Sequence, residues 1–191
     1  MIRAYANYAA KKSAGARAIL PAGGYVAKIM TAKVKQNTWG DTLEVVFDIA
    51  EGECQGFFKQ DYDSNTRDDR KWRGVMRLSV PSDQDDPKKD SWKKNVFENF
   101  TYCVEESNPG YEWDWNESGL KGKMIGVLFN NREWEMNGNT GWTTECRHAA
   151  SVDDIRNGNF KVPKDRPLKK SAGTSSNAFS EIEDSDDEVP F

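Results

Sequence analysis

The stretch from Leu43 to Ile49 constrains this chain more than any other. Leu43, Val45, Phe47 and Ile49 alternate there with Glu44, Val46 and Asp48. A side-chain period of two places the four large apolar groups on one face of an extended strand, and a helix would scatter them. Such a strand cannot stand alone, because its apolar face needs neighbouring strands and a covering layer. The preceding segment, Tyr25 to Lys35, supplies a partner with Val26, Met30 and Val34 on one face and Lys33 and Lys35 on the other. Leu20-Pro21-Ala22-Gly23-Gly24 is a turn signal before it, and Asn37 to Asp41 joins the two as a hairpin loop.

The pattern then predicts a turn over Gly52–Gly56 and a third short strand around Phe57-Phe58-Lys59. Gln60 to Arg73 is polar throughout and reads as a long loop or flap, and Gly74 to Val80 as a short strand. A helix is expected from Asp90 or Ser91 to about Glu106, since Trp92, Val96, Phe97, Phe100, Tyr102, Cys103 and Val104 make a broad apolar face. Gly122–Phe129 and Thr140–Ala149 flank Asn137-Gly138-Asn139, the strongest hairpin signal in the chain. Ser151 to Ile155 reads as one helical turn. Three strands, a helix and a hairpin predict a mainly β fold: a five-stranded OB-fold-like barrel with one α-helix between strands 3 and 4. The expected division is an arm over 1–18, a barrel domain over 19–162 and a disordered linker with an acidic tail over 163–191, where hydrophobic periodicity disappears.

Of 191 residues, 37% are apolar and seven are Trp, enough to build one core. No run approaches the roughly 18 consecutive apolar residues of a membrane span, and the first 18 residues lack the apolar segment of a signal peptide. The net charge of -4 misleads, because residues 181–191 hold six acids and no base. Without them, 27 bases face 25 acids, so the body is close to neutral. Three well-separated cysteines do not suggest a disulfide framework, and a reducing cytoplasm is the expected setting. Cys146 and His148 share a strand face and, with Cys54 and Cys103, suggest zinc only weakly, since structural zinc uses paired, closely spaced ligands. Glu112, Asp114 and Glu117 lack a matching third element for metal-dependent nuclease chemistry. One His, no Gly-rich phosphate loop and no nucleophile motif leave catalysis unsupported, so neither an enzyme nor a cofactor or metal is expected.

The chain ends Asp184-Ser185-Asp186-Asp187-Glu188-Val189-Pro190-Phe191. This tip closely resembles that of bacterial single-stranded DNA-binding proteins, in which several acids precede an aliphatic residue, Pro and a terminal Phe. The resemblance implies that Asp186, Asp187, Glu188, Val189, Pro190 and Phe191 dock on replication, repair and recombination proteins. The ring would fill an apolar pocket while carboxylates meet Arg and Lys. Leu20-Pro21-Ala22-Gly23-Gly24-Tyr25 and the segment Ser151 to Pro163 resemble a group of bacteriophage and prophage proteins, some described as single-stranded DNA-binding. That likeness implies a phage origin and the cytoplasm of a bacterial host. The body does not resemble the bacterial housekeeping protein, so a monomer or dimer is favoured over its tetramer.

Single strands are held by stacking bases on aromatic faces while Lys and Arg follow the phosphates. Candidates for that work are Lys33, Lys35, Trp39, Phe58, Lys59 and Tyr62, then Arg67, Arg70, Lys71, Trp72, Arg73 and Arg77, and on the second hairpin Arg132 and Trp134. Phe57, Trp92 and Trp142 are expected in the core instead. The expected function is sequence-tolerant binding of single-stranded DNA in phage replication or recombination. The alternative is a protein–protein adaptor whose β-barrel body binds no nucleic acid, which the near-neutral body favours.

Overall fold

A computed structural model of the chain describes residues 18–38, 40–88 and 90–168. Strands β1 (Gly23–Lys35), β2 (Thr42–Ile49), β3 (Val75–Ser79), β4 (Met124–Met136) and β5 (Asn139–Ala150) form one antiparallel sheet in the order β3-β2-β1-β4-β5. Helix α1 (Phe57–Ser64) follows β2, α2 (Ser91–Ser107) lies between β3 and β4, and α3 (Val152–Asn157) follows β5. No helix among the described residues is long and apolar enough to cross a membrane.

The alternation in β2 is realised fully: Leu43, Val45, Phe47 and Ile49 are all buried. Phe97, Phe100 and Val104 of α2 join the same core, which also takes Ile125, Val127 and Phe129 from β4. In β1 the ladder to β2 shifts between Ile29 and Thr31. A bulge of this kind swaps faces, so Ala27 and Ile29 point inward before it and Ala32 after it. Met30, expected on the inner face with Val26 and Val34, is exposed for that reason, whereas Val34 shares the Ala32 face opposite Leu43 and is exposed near the end of the strand.

The expected third strand at Phe57-Phe58-Lys59 is a helix. The Asp48 carboxylate on β2 accepts backbone N–H groups from Phe58 at 3.0 Å and Lys59 at 3.2 Å. An anion on the free N–H groups of a first turn stabilises a helix. Gly56 enters α1 at φ 71°, a conformation that favours glycine. Phe58 then enters the core, and the expected flap is helical up to Ser64.

The sheet does not close into the expected barrel, and β3 and β5 remain its two edges. β3 has five residues and pairs only with Thr42–Val46 of β2, too little ladder to reach round to β5. Leu20, Trp72 and Arg73 stand at the seam instead.

Trp92 and Trp142, expected in the core, are 53% and 46% exposed. Trp92 sits in the first turn of α2, off the Phe97–Phe100–Val104 stripe, and Trp142 lies on the distal part of the β4–β5 hairpin, opposite Glu133. The hairpin turn is of the expected kind, with Asn137 at φ 53° and Gly138 at φ 77°.

The two body motifs pack on each other. A Cβ on Gly24 would sit 2.7 Å from the Phe160 ring and 2.8 Å from Ile155. The glycine in the first motif therefore makes room for the second. Arg166, within the expected linker, bridges to Arg132 of β4, its N–H donating to the Asn131 carbonyl at 2.8 Å and its carbonyl accepting from Glu133 at 2.9 Å.

Candidate functional site

A cleft of about 440 Å³ opens at the seam between β3 and β5. Phe58 and Phe129, with ring centroids 6.1 Å apart, contribute apolar lining beneath Trp72, Arg73, Arg77 and Arg132. Five of the expected site residues, Phe58 and these four, thus converge from segments that are remote in sequence. Trp72 is half-buried, and its Nε1 donates to the Phe47 carbonyl at 2.9 Å, fixing the indole at the cleft wall. Tyr62 packs against it at 5.8 Å, with the Arg70 guanidinium 4.6 Å over the Tyr62 ring.

The arginines have different surroundings. Arg73 meets both oxygens of buried Asp61, at 2.8 and 2.6 Å, and also donates to the Ala18 carbonyl at 2.9 Å. That fork is committed to the fold. Arg77 donates to Glu44 at 2.8 Å, and Lys35 reaches the same carboxylate at 2.6 Å. The hydrogen bond from Lys35, with Arg77 adding to it, holds the Glu44 carboxyl below the usual carboxylate range. Across the cleft, Glu145 takes Arg166 at 2.7 Å and Arg132 at 3.6 Å. Each of these two acids therefore serves two cations. Glu133 and Asp165, which accept from Leu168 N and Asn131 N, stand beside Arg132 and Arg166 as well, while Arg77 and Arg132 present exposed guanidinium groups on the two sides of the cleft.

Phe58 lines the cleft but cannot stack a base, since it is 4% exposed. The other expected residues lie elsewhere. Lys33 is exposed on β1 across from Glu44, and Lys59 is paired with Asp63 at 2.6 Å one helical turn on. Arg67, Arg70 and Lys71 are exposed outside the cleft lining. Trp134 is half-buried over Gly141, where a Cβ would sit 2.8 Å from the indole. Trp39 and the tip residues Asp186, Asp187, Glu188, Val189, Pro190 and Phe191 lie outside the described residues.

Reading the sequence missed Leu20, Thr144, Glu145 and Arg166 at or beside the cleft. No local signal marks them, because each owes its place to a long-range pairing. Among the described residues no three His, Cys, Asp or Glu side chains gather to hold a metal ion. Cys146 and His148 flank a register shift rather than sharing a regular strand face. Glu112 and Asp114 are both exposed.

Fold and cleft together define an open, five-stranded antiparallel sheet with an arginine-rimmed cleft at its unpaired seam. No protein-family model matches the chain, and no curated protein matches it.

Proposed function

We propose that the protein binds single-stranded DNA, with the cleft at the β3–β5 seam as its gripping surface and the acidic tip as a recruiter of partner proteins. The observation that carries this reading is the convergence of Trp72, Arg77 and Arg132 on one cleft, with an exposed guanidinium group on each of its two sides. Guanidinium groups on facing rims suit a flexible polyanion, and an indole at the wall offers a face for a base. The strand order also supports it: β3 and β5, the two edges, are the strands whose pairing would complete an oligonucleotide-binding barrel. On this reading the cleft is that barrel's incompletely sealed seam. The tip's likeness to bacterial single-stranded DNA-binding proteins adds the recruiting role, and the body motifs' likeness to phage proteins adds the setting, which is phage replication or recombination in the host cytoplasm.

A fluorescence-anisotropy titration with labelled oligo-dT of about 30 nucleotides tests the reading. Binding that weakens with salt, exceeds binding to a duplex of equal length and falls several-fold in Arg132→Ala is the expected outcome. Absence of binding at low salt ends it. One observation favours the second reading, a protein–protein adaptor: Arg73, Arg77 and Arg132 all have carboxylate partners already. The same titration separates the two.

A further inference from the structure

Beyond Phe129 the β4–β5 hairpin outruns the rest of the sheet. The pairing of β1 with β4 ends where Gly23 meets Phe129, whereas β4 and β5 continue in one unbroken register from Phe129 opposite Cys146 to Met136 opposite Asn139. Directly paired residues point to the same face of a sheet, and so do residues two apart along a strand. Phe129, Cys146 and Thr144 therefore share a face, and the next rung on that face pairs Glu133 with Trp142. The first three line the cleft. Trp142 is thus the next side chain along β5 from the cleft wall, with about 7 Å of strand between it and Thr144. Burial changes sharply over these rungs: Phe129 is 3% exposed and Trp142 is 46% exposed.

We propose that Trp142 is a stacking platform for a base of a single strand that leaves the cleft along the open edge of β5. This inference rests on the single-strand reading of the cleft. It supplies what the cleft has little of, an aromatic face open to solvent. Phe58 and Phe129 are buried, and Trp72 is half-buried against Tyr62 with its indole N–H held by the Phe47 carbonyl. A base gains most from a large flat ring that water still covers before the strand arrives, and indole is the largest such ring. The edge also offers a phosphate partner at the same place. Arg132 sits one rung away, paired with Thr143, with its guanidinium exposed on the other face of the ribbon. Glu133, directly across from Trp142, has its carboxylate on the Leu168 N–H.

The test titrates labelled oligo-dT into the full chain and its Trp142→Ala and Trp142→Phe variants across a range of salt, alongside a duplex of equal length. Loss of one stacked base weakens single-strand binding about tenfold in Trp142→Ala. Stacking releases no counterions, so the slope of log affinity on log salt stays that of the parent chain. Binding of the duplex, whose bases already stack on one another, is unchanged, and Trp142→Phe recovers most of the loss. Ultraviolet cross-linking of bound oligo-dT to the peptide that carries Trp142 reads the same contact without any variant. If the full chain binds oligo-dT while Trp142→Ala keeps its affinity and no cross-link forms at Trp142, the stacking proposal falls and the cleft reading stands. A Trp142→Ala variant that changes self-association in sedimentation but not DNA affinity also overturns it, assigning the indole to a contact between copies. If the full chain itself fails to bind at low salt, both fall together.

Discussion

At the scale of single residues, the cleft's chemistry is set by two acids that each serve two cations. Glu44 and Glu145 hold Arg77 and Arg132 in place, and they also compete with any anionic ligand. Changing Glu145 to Gln keeps a hydrogen-bond acceptor while removing that competition, and a several-fold tighter, more salt-sensitive affinity for oligo-dT is expected in titration. Glu44 has a further signature. Its carboxyl is held below the ordinary value by Lys35 and Arg77. The stabilisation is therefore full above the ordinary value of 4.5 and fades as pH falls through the lower value in the folded state. Glu44→Gln should flatten the acid limb of stability against pH in that window, as followed by urea melts. Asp61 is a different case, because it is buried and meets Arg73 through both oxygens. Asp61→Ala strands a largely covered guanidinium and should cost about 3 kcal/mol in urea unfolding. Arg132→Ala, at an exposed rim, should leave the urea midpoint unchanged while weakening DNA binding. That contrast separates the arginine that builds the cleft from the one that serves it.

At the scale of elements, one side chain joins the end of α2 to the start of β4. Asn108 Nδ2 donates to the carbonyls of Val104 at 2.7 Å and Met124 at 2.8 Å, and its Oδ1 accepts from Met124 N at 2.9 Å. Asn108→Ala leaves three backbone groups in need of partners and should cost about 2 kcal/mol, readable as a lower urea midpoint. The sequence shows Asn108 only as part of a helix-ending Asn-Pro-Gly; its bond to β4 spans a loop that no local pattern reports. The same division runs through the fold. β2, α2 and the Asn137-Gly138 hairpin were legible, because period, apolar stripe and turn chemistry are properties of contiguous residues. α1 was not, because its N-terminus is held by Asp48, ten residues before Phe58. The exposure of Met30 was not either, since the bulge depends on the facing strand. In the cleft, Trp72, Arg73, Arg77 and Arg132 could be picked out as basic and aromatic residues in polar surroundings. That Arg73 belongs to Asp61, and that Phe58 is buried lining, required the packed structure. The open seam was beyond sequence because barrel closure depends on pairing between β3 and β5, which are far apart in the chain.

At the scale of the whole molecule, the described chain starts at the cleft, where the Ala18 carbonyl accepts from Arg73, and the sequences beyond its two ends carry opposite charge. The last described residue, Leu168, donates its N–H to Glu133 at 2.9 Å, next to Arg132 on β4. Beyond it, residues 169–191 hold two lysines and six acids, against the acid-free segment over 1–17. Thirteen residues from Leu168 to Glu181 reach at most about 45 Å, enough to bring the acids back to Arg77 and Arg132. On the single-strand reading proposed above, the tail would act as a tethered competitor of the strand, its local concentration fixed by the tether rather than by the amount of protein. Removing residues 181–191 should tighten oligo-dT binding several-fold at about 50 mM salt, and the difference should vanish as the screening length shrinks toward about 3 Å near 1 M. A second measurement identifies the mechanism: a synthetic peptide of residues 181–191 should weaken binding by the truncated chain only at far higher concentrations than the tethered tail requires. Equal affinity of full and truncated chains at low salt would mean that the acids stay clear of the rims. The rim guanidinium groups would then be open to the strand at all times, leaving the tail's charge to serve partner proteins alone.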